Sequence, residues 1–224
     1  MPNVESFGAM SRVPTTSVLL SVPAYLVNQV ESWAKQHGLA RSDAVELLLS
    51  ASLADPDSPP VRLRTAFENG NVQTPAEISA GLDDAGVDVP VIGLLLGPRQ
   101  SVRGPEPFKR DHIGADLTDD ALSAWPSVRG IWRVSDRPRI VAAYRLGMPL
   151  GLYRVDGWEQ VPGTPRRWAV GGQVISGDRR VNADTGVDVG DTTPTDRAIA
   201  SVIFARPLTV SSATANPLVW LHRR

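Results

Sequence analysis

From Thr15 to Leu53 the chain reads as one strand followed by two short amphipathic helices, a unit too small to bury its own apolar surface. Val18, Leu20 and Val22 alternate on one face of the strand. Pro23 ends ladder pairing and opens a helix. From Ala24 to His37, Leu26, Val27, Val30, Trp33 and Ala34 recur at helical spacing, and Gly38 suits the left-handed position that ends a helix. A second helix is expected from Arg41 to Leu53, with Ala44, Val45, Leu47, Leu48, Leu49 and Leu53 apolar and Asp43 in its first turn. A lone strand has unpaired backbone groups, and two short helices leave an apolar face uncovered. The economical solution is a homodimer whose strands pair as an antiparallel ribbon about a two-fold axis, closing four helices over one core.

The strand ending in Val22-Pro23, the stripe Leu26, Val30, Trp33 and Ala34, and the turn Gly38-Leu39-Ala40-Arg41-Ser42 follow one another in order at the expected lengths. On these residues the segment resembles the ribbon-helix-helix (Arc/MetJ-type) family of DNA-binding dimers. The resemblance implies a β-α-α element whose ribbon reads base edges in the major groove through Ser17, Leu19 and Ser21. It implies a phosphate clamp of Arg41 and Ser42 with their backbone amides at the second helix N-terminus, and Arg12 as an arm on the duplex backbone. Serine and leucine discriminate bases less than arginine or asparagine do, so DNA shape is expected to carry much of the selectivity. A rival reading keeps the element for dimerisation alone.

The remaining 170 residues divide by charge and composition. Residues 55–107 hold 4 basic and 8 acidic side chains, with Pro56, Pro59, Pro60, Pro75, Pro90, Pro98, Pro105 and Pro107, and read as an acidic linker with short ordered pieces. One such piece is a helix opened by Thr74-Pro75-Ala76-Glu77. Residues 108–224 carry 16 basic and 12 acidic groups. There 131–134, 139–144, 150–155, 167–170, 199–204 and 218–221 are strand candidates, with 146–149 as a hairpin turn, 119–124 as a helix and 176–195 as a surface loop. The expected fold class is therefore α+β: a dimeric N-terminal ribbon-helix-helix over 1–54, a linker, and a small mostly-β C-terminal domain over 108–224.

Arginine and aromatic residues interleave through Arg129-Gly130-Ile131-Trp132-Arg133, Tyr153-Arg154, Trp158 and Arg167-Trp168. Tryptophans filling a β-domain core while arginines point outward is the favoured reading, against a nucleic-acid surface of stacking rings and phosphate-binding guanidinium groups. Gly171-Gly172-Gln173 is read as a hairpin turn, and Asp184, Asp188 and Asp191 as a solvated loop without calcium-loop spacing.

The chain has no cysteine, which excludes disulfides, a thiol nucleophile and thiolate metal sites. His37, His112 and His222 fall in no zinc-binding spacing, and neither a Gly-x-Ser-x-Gly elbow nor a phosphate loop occurs. No cofactor and no catalytic role are expected. With a net charge of −1 bulk electrostatics favour no polyanion coat, and without an apolar run of membrane length or a signal-peptide pattern a cytoplasmic location is expected. The functional expectation is a sequence-selective, homodimeric regulator whose partners are double-stranded DNA and itself, with an effector or protein partner at the C-terminal domain. The alternatives are an antitoxin-like protein whose C-terminal region grips a partner, or a nucleic-acid-processing protein.

Overall fold

The structure, a computed structural model, describes residues 22–101, 112–130, 132–133, 137–209 and 217–223. It opens with four helices: α1 (Ala24–Gln36), α2 (Arg41–Leu53), α3 (Pro59–Glu68) and α4 (Pro75–Asp84). Strand β1 (Val91–Leu96) follows, then the short pair β2 (Gln100–Ser101) and β3 (His112–Ile113), and helix α5 (Ala121–Val128). Next come β4 (Ile140–Arg145), β5 (Met148–Val155), β6 (Trp158–Gln160), β7 (Arg167–Ala169), β8 (Gly172–Ser176), β9 (Arg179–Asn182) and β10 (Asp188–Asp191). Helix α6 (Pro194–Ile203) and strand β11 (Leu218–His222) complete the described chain.

Seven strands form one mixed sheet in the order β10-β9-β8-β5-β4-β1-β11, in which β1 and β4 are parallel and every other neighbouring pair is antiparallel. Its two faces are covered by different helices. Ile140, Ala142 and Tyr144 of β4 join Ile78 and Leu82 of α4 and Ile199 and Ile203 of α6 in one core. Val141 and Ala143, one residue out of phase, join Ala124, Trp125 and Val128 of α5 with Trp158 and Ala169 in the other. Burial on both faces is why β5 shows no clean polar alternation. The turn between β4 and β5 places Leu146 at φ 53° and Gly147 at φ 92°. A Cβ on Gly147 would lie 2.2 Å from the Leu208 carbonyl oxygen, so only glycine fits there.

This architecture corrects the expected fold class. The described chain starts with four helices, not with a β-α-α element, and α2 is covered by its own chain. Leu47 is fully buried in a cluster with Leu63 and Phe67 of α3, Leu117 and Leu146, and Trp33 of α1 packs on its margin. Glu46 of α2 forms an ion pair with Arg145 at the end of β4, whose Nε also donates to the Ala115 carbonyl at 3.1 Å. The part of α2 that carries Ala44 and Leu47 is thus covered within the chain, while Val45, Leu49 and Leu53 stay exposed. Residues 15–21, the larger part of the expected strand, lie outside the described residues, and Val22 and Pro23 belong to neither helix nor strand.

The C-terminal region is not a separate small mostly-β domain either. The stretch read as a linker supplies α3, α4 and β1, and β1 lies inside the sheet between β4 and β11. Within the expected strand 199–204, residues 199–203 are the end of α6, nucleated by a capping box in which Thr193 and Asp196 bond each other's backbone amides. The expected loop 176–195 contains the β9–β10 hairpin and the start of α6. The helix at Thr74 forms as expected, with the Thr74/Glu77 capping box complete. Among the described residues, no helix is long and apolar enough to cross a membrane.

Candidate nucleic-acid interface

A ledge of short strands projects beside the α5 face of the sheet. β6 and β7 pair antiparallel with Trp158 opposite Ala169, Glu159 opposite Trp168 and Gln160 opposite Arg167. Trp132 adds a third rung, its N–H donating to the Arg167 carbonyl and the Arg167 N–H to its own, both at 2.8 Å. Strand alternation sorts the side chains. Trp132, Trp158, Arg167 and Ala169 share the inner face, where Trp158 and Ala169 are buried in the α5 core and Trp132 packs on it. Indole N–H groups there are satisfied by carbonyls, Trp158 by Pro138 at 2.8 Å and Trp132 by Val128 at 2.9 Å. The outer face carries Trp168 and Glu159, and flanking the bridge places Arg133 beside Arg166, both exposed.

The electrostatics of this ledge differ from the rest of the surface. Most arginines elsewhere are paired: Arg41 with Glu31, Arg64 with Glu68, Arg99 with Asp116 and Asp119, Arg154 with Asp196, and Arg179 with Asp188 and Asp191. Among the described residues, Arg133, Arg166 and Arg167 of the ledge have no carboxylate within ion-pair distance, and elsewhere the same holds for Arg62, Arg137, Arg139, Arg180, Arg197 and Arg223. Like charges facing each other across a strand pair repel, so Arg133 and Arg166 are a local cost in the free protein that an anion between them would relieve. Arg129 borders the ledge, its guanidinium 5.3 Å from the Trp168 ring centroid and its Nη1 donating to Asp184 Oδ1 at 2.9 Å. Asp184 also accepts from the Trp125 indole at 2.9 Å, which fixes the rim between α5 and the ledge.

The residues singled out from sequence fall in different places. Arg12, Ser17, Leu19 and Ser21 lie outside the described residues. Arg41 and Ser42 are exposed at the start of α2, where the cap residue Ala40 provides no side-chain bond, and Arg41 Nη1 donates to Glu31 Oε1 at 2.8 Å. His112 Nε2 lies 3.3 Å from Arg99 Nη1, and buried His222 has Nε2 3.1 Å from the Val87 carbonyl. Asp188 and Asp191 hold Arg179 within the β9–β10 hairpin. The ledge unites two of the arginine–tryptophan stretches noted in the sequence. It adds Arg166, which the bridge sets beside Arg133 and which has no acidic partner among the described residues.

No protein-family model, curated protein or solved structure matches this chain.

Proposed function

We propose that this protein binds double-stranded DNA through the arginine ledge, with guanidinium groups on phosphates and Trp168 as the apolar element beside them. The observation that supports it is that Arg133, Arg166 and Arg167 come together where 132–133 meets β7 and have no carboxylate partner among the described residues. An arginine–phosphate contact is a charge-assisted, frequently bidentate bond, and several on one face set the register of a duplex. Such contacts position a duplex without reading its sequence. Selectivity in this reading comes from groove shape and from side chains next to the phosphate contacts.

Fluorescence anisotropy on a labelled duplex tests this. The double variant Arg133→Gln/Arg166→Gln is expected to weaken binding by about 10–100-fold at moderate salt. Arg41→Ala, whose guanidinium is engaged by Glu31, is expected to weaken it far less. Undiminished affinity in the double variant rejects the ledge as the contact surface.

Self-association belongs to the same reading, through helix faces. Val45, Leu49 and Leu53 recur at i, i+4 and i+8 on the face of α2 turned from the core, and are 39, 53 and 87% exposed. An apolar stripe of this kind favours pairing with its own copy about a two-fold axis. Sedimentation equilibrium should give a dimer at micromolar concentration for the wild type and a monomer for Leu49→Glu/Leu53→Glu. A monomeric wild type removes self-association from the proposal.

A further inference from the structure

A second feature lies away from the ledge, where the C-terminal ends of α1 and α3 converge on an open cleft of about 490 Å³. That size is within the range of small-molecule sites. Gln36 and the cap residue His37 line it at the end of α1, Phe67, Glu68 and the following Gly70 at the end of α3, and Thr209 also lines it. We propose that this cleft binds a small organic cation carrying a primary ammonium group.

Three independent features give the site its sign. Each helix end carries the negative pole of its backbone dipoles, and two of them meet here. The turns closing the helices use the carbonyls of Trp33, Ala34 and Lys35 in α1 and of Thr65, Ala66 and Phe67 in α3. The carbonyls of Gln36 and Glu68 accept no hydrogen bond among the described residues, and both residues line the cleft. Next, α3 ends with Glu68 and has no basic residue in its last turn, the reverse of what a helix C-terminus favours. Its nearest cation, Arg64 Nε, is 3.5 Å away in a largely exposed pair, and such pairs compensate little. A residue placed against its local preference is expected where a ligand supplies the missing charge. Finally, the His37 and Phe67 rings both line the cleft, with their centroids 5.9 Å apart. Rings attract cations through their faces. Unused carbonyls and a carboxylate need N–H donors, which selects a primary amine over a quaternary one.

Calorimetric titration of the full chain with 1,4-diaminobutane tests the inference without DNA present, so its outcome is independent of the ledge. At pH 8, above the range in which imidazoles ordinarily titrate, saturable one-to-one binding is expected. Glu68→Gln should weaken it at least tenfold, and Gln36→Trp, a bulky change on an exposed rim residue, should abolish it while the circular dichroism of the fold is retained. Tetramethylammonium should bind at least tenfold more weakly than the diamine. The inference is overturned by the absence of saturable heat up to about 10 mM diamine, a range that covers weak millimolar sites. It is equally overturned by unchanged affinity in both variants, or by tetramethylammonium binding as tightly.

Discussion

Replacing Asp196 with alanine is expected to destabilise the protein by about 2–4 kcal/mol, the sum of a lost charge-assisted hydrogen bond and a lost helix cap. Asp196 has no exposed surface. Its Oδ1 accepts from Arg154 Nη2 at 2.5 Å, and its Oδ2 from the Thr193 N–H at 3.0 Å. The carboxylate thus ties the start of α6 to the centre of β5. Without it Arg154, whose side chain is 29% exposed, loses its carboxylate partner, and its Nε is buried with no hydrogen-bond partner. The substitution also removes half of the capping box.

The same group gives a signature in pH. Burial alone would raise the Asp196 pKa, but hydrogen bonds from Thr193 and Arg154, with the Arg154 charge, outweigh it and hold the carboxyl below its ordinary 3.8. A carboxyl depressed in the folded state stabilises fully above its unfolded pKa, and the contribution disappears as pH falls through the lower folded value. Urea unfolding of the wild type should therefore weaken on acidification below about pH 4 more steeply than that of Asp196→Ala. Parallel curves for the two proteins would show that Asp196 is not the charged partner.

The second large effect concerns how the N-terminal helices are held. Arg145 is 2% exposed, and its one carboxylate partner among the described residues is Glu46 of α2. Glu46→Ala should cost about 3 kcal/mol, because the guanidinium stays buried with only the Ala115 carbonyl to satisfy it. The paired replacement Glu46→Leu/Arg145→Met should recover most of that loss, since hydrophobic residues of similar volume often match or exceed a buried ion pair. A double-mutant cycle in denaturant gives the coupling directly. Coupling near zero would mean that this ion pair does not hold α2.

Sequence reading succeeded where the signal is local. Thr74, Pro75 and Glu77 lie within one helical turn and are sufficient to specify the start of α4. Leu146-Gly147 sets the β4–β5 hairpin because its left-handed backbone needs glycine. Gly38, at φ 68°, ends the first helix as its position suggests. Failures came where partners are distant in sequence. Leu47 and Ala44 mark a face of α2 that must be covered, yet nothing in the helix says whether α3 or another molecule covers it. Val91–Leu96 is an apolar run between Pro90 and Gly97, and its position between β4 and β11 depends on pairing with residues far along the chain. The run from Ile199 to Phe204 looks like a strand if read alone. Thr193-Pro194-Thr195-Asp196 just before it was the usable cue, since a capping box and a first-turn proline start helices.

The candidate interface was half legible. Interleaved arginine and tryptophan drew attention to 129–133 and 167–168, and the tryptophans expected to fill a core include Trp158, which is buried. What composition could not show is charge pairing. Arg179 and Arg166 are equivalent letters in the sequence, but Asp188 and Asp191 neutralise the first, and among the described residues no carboxylate reaches the second. Folding brings Arg133 beside Arg166 and Arg167 at one bridge, and among the described residues none of the three has a carboxylate partner, although the chain's net charge is −1.

The measurement closest to the central claim is the salt dependence of duplex affinity for the wild type and for Arg133→Gln/Arg166→Gln. Each phosphate contact releases condensed counterions and contributes about −0.9 to the slope of log affinity against log salt. If the ledge holds phosphates, the double variant should have a slope shallower by about two units per bound chain. A wild-type slope near zero, or identical slopes for the two proteins, would contradict a DNA-binding ledge.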